Sequence, residues 1–246
     1  MNWLAKKSGQ SPVLVRVLPF AIFLGLTFCQ GKFGDASRYW FYLAKTVIGA
    51  WMIWTVRPSI AELKWALSWQ ALAVGVGVFG LWVGLDGYTP TLDQLIQQYV
   101  GPVLQIIGLE SWCPKPTADQ LDWNPHRKFG QDSGLAWWFI AVRVLGSAVV
   151  VPPLEEVFYR SFVYRYLIKP DFQAVSFGQL RWSALLATAA MFGLSHREWL
   201  AGILCGLAYQ WLALSKLRLG DAITAHAVTN FLLGLWVVWQ GAWHFW

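Results

Sequence analysis

A series of apolar blocks, each about as long as a bilayer core is thick, constrains this chain most. A spanning helix needs about 20 apolar residues, with roughly 17–25 tolerated. Candidate blocks run from Pro12 to Cys29, Tyr39 to Val56, Trp65 to Leu85, Gly134 to Val151, Arg181 to Leu194, Trp199 to Leu214 and Ala222 to Trp239. An eighth, Leu154 to Ile168, is about 22 Å long at helical rise, short of a ~30 Å core. The pattern predicts an all-α fold, a polytopic transmembrane bundle of seven or eight helices. The count turns on whether Leu154–Ile168 crosses fully or sits as a short helix inside the bundle.

Composition agrees. Charged residues make up 13% of the 246, about half the share usual in soluble domains. Eighteen tryptophans suit a chain with two membrane–water interfaces. A net charge of +6 without a long basic run argues against nucleic acid, because the cations sit between blocks where they set topology. Cys29, Cys113 and Cys205 have no metal-ligand spacing. The basic start, Lys6-Lys7, and the following apolar run lack a small-residue cleavage site and read as a retained first helix.

Three regions follow: residues 1–85 with the first helices, residues 86–133 with an amphipathic helix and an exposed loop, and residues 134–246 as a helical core. Residues 86–133 hold six acidic residues. Within them, Thr91–Ile107 has helical periodicity, a Thr91/Gln94 capping box and a Gly101-Pro102 pair expected to kink or break it. It reads as an interfacial helix, with a lid over a pocket as the alternative. Pro114–Asp132 reads as loop. Gly80-x-x-x-Gly84 and Gly202-x-x-x-Gly206 hint at close helix packing. Arg16 is close enough to a block end to snorkel, and Lys45 lies inside its block. The basic loops Arg165–Arg181 and Lys216–Arg218 share one side, which the positive-inside rule makes cytoplasmic.

Polar residues inside apolar blocks carry the functional reading, since each charge at membrane depth costs roughly 2.5–3.5 kcal/mol unless paired or used. Val151-Pro-Pro-Leu-Glu-Glu-Val-Phe-Tyr-Arg160 has two adjacent carboxylates, and Pro152-Pro153 is expected to end one helix and start a short one. Neighbours on a helix point about 100° apart, so both cannot face one site. Glu156 and Arg160 are spaced for an ion pair, which leaves Glu155 as the reactive carboxylate. Phe192 lies one turn below His196 and can pack under it. His226 and Asn230 share a helix face. Each has a bland reading: helix–helix hydrogen bonds for the histidines and Asn230, dipole compensation for Glu-Glu.

The ordered set Glu155-Glu156-x-x-x-Arg160, Phe192-x-x-x-His196 and His226-x-x-x-Asn230 resembles the CPBP family of intramembrane proteases, which includes the type II CAAX prenyl endopeptidases. The resemblance covers about a third of the chain. It implies a membrane endopeptidase of the cell inner membrane that acts on a membrane-associated protein or peptide within the lipid bilayer. Glu155 would be the general base for a water, with His196 helping to activate it. His226 and Asn230 would bind that water or the oxyanion. Glu156, Arg160 and Phe192 would support the site. The family has been described both with and without a metal. The metal-free reading is preferred here, and zinc held by Glu155, His196 and His226 is the alternative. Competing functions are a catalytically idle regulatory relative and a small proton-coupled transporter using the same residues as a relay.

Overall fold

The computed structural model describes residues 11–109 and 122–246. Lys6, Lys7 and Cys113, and residues 114–121 of the expected loop, lie outside them. The described residues are all-helical apart from turns and connections. The helices are α1 (Pro12–Phe28), α2 (Ser37–Val56), α3 (Trp69–Gly84), α4 (residues 92–106), α5 (Pro125–Phe129), α6 (Gly134–Ile168), α7 (Trp182–Gly193), α8 (Trp199–Lys216) and α9 (Gly220–Gln240).

The largest departure from the sequence reading is α6. Pro152-Pro153 does not divide two helices; one helix of 35 residues runs through them, so the separate short element at Leu154–Ile168 does not exist. Two wide turns make this feasible, at Gly146–Val150 and Val157–Val163. A proline has no N–H and its ring crowds the carbonyl four residues back. Just before the pair, the Val151 N–H reaches back five residues to the Gly146 carbonyl, and the widened turn gives the rings room. α4 repeats the device. Its wide turn at Ile96–Val100 ends with the Gly101 N–H on the Ile96 carbonyl, and the helix continues through Pro102 instead of breaking.

Among the described residues, only α6 and α9 are both long and apolar enough to cross a bilayer by themselves, while α1, α3 and α7 are shorter apolar helices. The outer surface is apolar: Val76, Val149, Leu186 and Leu235 on four different helices are 47–57% exposed. The polar residues Arg16, Lys45, Glu156, Arg160, Arg165 and Asp221 are buried instead. A surface this apolar around a charged interior is that of a membrane protein.

Glycines set the closest helix contacts. A Cβ on Gly75 would fall 2.7 Å from the Ala225 carbonyl oxygen, so α3 and α9 touch backbone to backbone. Gly193 of α7 and Gly202 of α8 face each other, a Cβ on Gly202 meeting the Gly193 Cα at 2.8 Å, and Gly206 packs on Ala189. The Gly202/Gly206 expectation therefore describes a real interface. Gly80 and Gly84 have open space around them, and α3 packs through Gly75 instead.

Two polar clusters tie the helix ends on one side. Glu62, in the connection between α2 and α3, accepts from Arg16 at 2.7 Å, from Arg165 at 2.8 Å and from the Ser161 hydroxyl at 2.5 Å. Arg16 therefore does not snorkel; it is buried in this cluster. Ser68 caps α3 by accepting from the Ala71 N–H and donates to Asp221 at the start of α9. Gly178 packs on Leu217, which puts the loops around residues 165–181 and 216–218 together on this side. At the opposite end α4 starts with the expected capping box, and its Leu92 N–H donates to the Arg197 carbonyl. The apolar residues Tyr99, Val103 and Ile106 along it are exposed.

Candidate active site

α6, α7, α8 and α9 surround a cavity of about 440 Å³ whose lining includes Glu155, His196, His226 and Asn230. It extends from Glu155 to Arg197, Glu198 and the C-terminal residues His244, Phe245 and Trp246, on the side away from Glu62. The motif residues thus converge from different elements on one space.

His226 is the pivot. Its Nδ1 lies 2.9 Å from Glu156 Oε1, and its ring stacks on Tyr209 at 5.1 Å between centroids. A carboxylate on Nδ1 keeps the proton there and leaves Nε2 as the reactive nitrogen. Nε2 is 4.0 Å from Glu155 Oε2. That is too long for a direct hydrogen bond and suits one water in contact with both, since two bonds of about 2.8 Å close a bent bridge of that span. Glu155 Oε2 is buried and accepts no hydrogen bond from a described residue.

Glu156 therefore has two partners. It lies 3.2 Å from Arg160 Nε, both side chains essentially inaccessible, as the spacing predicts. Its contact with His226 was not foreseen, because spacing along one helix says nothing of what a facing helix brings. Arg160 also lies over the Phe192 ring at 4.4 Å and donates to the Gly206 carbonyl.

His196 is not on a helix. α7 ends at Gly193, and His196 sits in the following turn, its N–H on the Gly193 carbonyl. Gly193 cannot carry a side chain against α8, so the turn there is pressed close to Trp199 and Ile203. His196 Nδ1 is 2.7 Å from the Phe192 carbonyl oxygen, which requires a proton on Nδ1 and leaves Nε2 as an acceptor. The Phe192 ring packs against His196 at 4.7 Å, as expected, and Trp82 meets its edge at 5.5 Å.

Asn230 lines the cavity and donates from Nδ2 to the Ser147 carbonyl at 2.9 Å. That carbonyl lies in the wide turn ahead of Pro152. A donor five residues on would be the Pro152 nitrogen, which has no hydrogen. The proline thus frees a buried acceptor, and Asn230 satisfies it. Ser147, Tyr209 and Pro152 belong to the site's construction and lacked any motif signal of their own; the Pro-Pro pair was the only hint.

Glu155, His196 and His226 do not gather as a ligand set: among the described residues no three His, Cys, Asp or Glu side chains are grouped to hold a metal ion. Both histidines keep Nδ1 for protein acceptors, and only Glu155 and His226 approach each other.

Of the three cations on the cavity wall, Arg197 pairs with Asp93, while Lys45 of α2 and Arg143 of α6 have no such partner among the described residues. Aromatic faces surround them. Such contacts are worth about 0.5–2 kcal/mol, against several kcal/mol for desolvating an ion.

Residues 136–232 match the family model described as Type II CAAX prenyl endopeptidase Rce1-like. This stretch belongs to the CAAX protease-like family. The match runs from the start of α6 well into α9 and takes in every motif residue above, though it covers less than half of the chain. No curated protein and no solved structure matches the sequence. The CAAX protease-like stretch thus coincides with the part of the fold that builds the cavity, while α1, α2 and α3 complete its walls.

Proposed function

We propose that this CAAX protease-like chain is an intramembrane endopeptidase that cleaves a membrane-associated protein or peptide with a water activated by Glu155. The observation that carries the reading is the 4.0 Å gap between Glu155 Oε2 and His226 Nε2, with Glu156 holding the far side of the imidazole. A water in that gap donates one proton to Glu155 and the other to His226 Nε2. As its oxygen attacks the peptide carbonyl, Glu155 takes the proton and later returns one to the leaving amine. The carboxylate of Glu156 stabilises positive charge developing on His226, so the imidazole can share that proton. Asn230 has one amide N–H committed to Ser147 and a second to offer the oxyanion; such a donor is worth roughly 3–4 kcal/mol. His196 presents Nε2 to the same cavity as an acceptor, available to a donor of the bound peptide rather than to this water, whose two protons are already placed.

No step requires a metal. Zinc on Glu155, His196 and His226 is the competing scheme, and activity that survives chelation, with no gain on zinc add-back, decides against it.

Glu155→Gln keeps size and packing and removes the base, so turnover of a membrane-protein substrate falls by about 10²–10⁴-fold. An uncleaved substrate accumulates in cells carrying the variant. A Glu155→Gln protein with full activity overturns the mechanism. The basic face with Glu62 lies in the cytoplasm on this reading, as in a multi-pass protein of the inner membrane, and the cavity extends toward the opposite face.

A further inference from the structure

Lys45 and Arg143 line the same cavity as Glu155 and have no part in activating water. Lys45 Nζ donates to the neutral Thr27 hydroxyl at 3.0 Å and lies 4.6 Å from the ring centroids of both Phe23 and Tyr42. The Arg143 guanidinium sits over Tyr42, Trp123 and Trp246 at 4.7, 4.6 and 5.2 Å. Among the described residues no carboxylate lies within ion-pair distance of either, whereas Arg16, Arg160 and Arg165 all have one. Both cations lie against the same Tyr42 ring, and both line the cavity with Glu155. Ring faces hold a cation in place but leave its N–H groups without acceptors. Two cations around one ring on a cavity wall, both lacking a carboxylate, suit an anion that both can bind.

We propose that Lys45 and Arg143 form a subsite for a carboxylate of the peptide substrate. The proposal rests on the hydrolase reading and adds what the substrate must carry. Arg143 precedes Glu155 by twelve residues on α6, about 18 Å of helical rise. An extended peptide covers roughly 3.3–3.6 Å per residue. With the reach of both side chains subtracted, the carboxylate sits about two to five residues from the scissile bond, toward the end of the cavity at Trp246. A peptide's terminal carboxylate and an Asp or Glu side chain share this chemistry.

Binding tests the subsite without turnover. The full-length Glu155→Gln protein is immobilised in detergent and offered a random library of peptides about ten residues long in three forms. One has free C-termini, one is amidated, and one is amidated with Asn and Gln replacing Asp and Glu. Mass spectrometry reads the retained peptides. The carboxylate-bearing forms are enriched at least about ten-fold over the third, and adding Lys45→Met or Arg143→Gln lowers this to under about three-fold. Arg143→Lys, which keeps the charge and loses the planar fork, retains part of the enrichment and serves as the readout where the neutral variants fail to fold. Enrichment of the first form over the second assigns the terminal carboxylate; enrichment of the second over the third assigns a side chain. Equal retention of all three forms, no retention of any, or enrichment that survives every substitution overturns the subsite. None of these results touches the water-activating mechanism, and an active Glu155→Gln variant overturns that mechanism while leaving the subsite standing.

Discussion

Glu155 and Glu156 are neighbours with different duties, and the structure refines the division between them. Spacing alone separates a carboxylate paired with Arg160 from one left for chemistry. It is silent on His226, which arrives from α9 and takes the inner oxygen of Glu156. Glu156 is thus at once half of a buried ion pair and the group that orients the imidazole. Removing one partner of such a pair costs about 3–5 kcal/mol, and replacing both with fitted neutral residues can be nearly free. Glu156→Gln alone therefore lowers abundance in the membrane. The double variant Glu156→Gln/Arg160→Met recovers abundance but not turnover, because His226 still lacks its anion. Immunoblotting and a cleavage assay on the same membranes check both halves, and a double variant that cleaves normally would return Glu156 to a purely structural role. The histidines and Asn230 were legible because polar residues stand out in apolar blocks. The hydrogen bonds that aim them were not, since a backbone carbonyl has no signature in sequence.

The wide turns and the glycines decide whether the elements fit. α6 departs from local rules: a Pro-Pro pair inside an apolar run predicts a break, while a turn with one extra residue lets the helix pass. Packing faces were half legible. Small residues at four-residue spacing mark a possible contact, and only the facing helix decides which are used. Gly193→Ala forces a methyl to within 2.6 Å of the Trp199 carbonyl oxygen and destabilises by about 1–3 kcal/mol. It also displaces the turn that presents His196, so activity falls with stability. Gly80→Ala and Gly84→Ala meet nothing and leave stability unchanged or raise it by up to about 1 kcal/mol. Thermal unfolding of the purified variants in detergent separates the two classes.

For the whole molecule, the cluster on Glu62 fastens α1, α6 and the connection between α2 and α3 at one face. Burial raises the Glu62 carboxyl, but the Ser161 hydroxyl and the Arg16 guanidinium outweigh it and hold the group below its ordinary 4.5. A folded value below the unfolded one gives stability that is full above the unfolded value and is lost as pH falls through the folded one. The melting temperature in detergent therefore drops as pH is lowered past about 4.5, and Glu62→Gln, less stable at neutral pH, loses most of that slope. The orientation also has a direct check. With the native cysteines replaced, an impermeant thiol reagent added to intact cells labels Lys32→Cys and spares Lys169→Cys; the reverse pattern inverts the topology. The all-helical class was legible from block length, whereas the number of helices and the continuity of α6 were not. That helix carries Arg143, the carbonyl that receives Asn230, both glutamates and Arg165, so it indexes the cavity the way a threaded rod sets the pitch of a machine. Each wide turn adds one residue of phase. Closing the first of them as ordinary helix with every residue kept would turn everything beyond it by about 100° and set Glu155 out of step with Arg143.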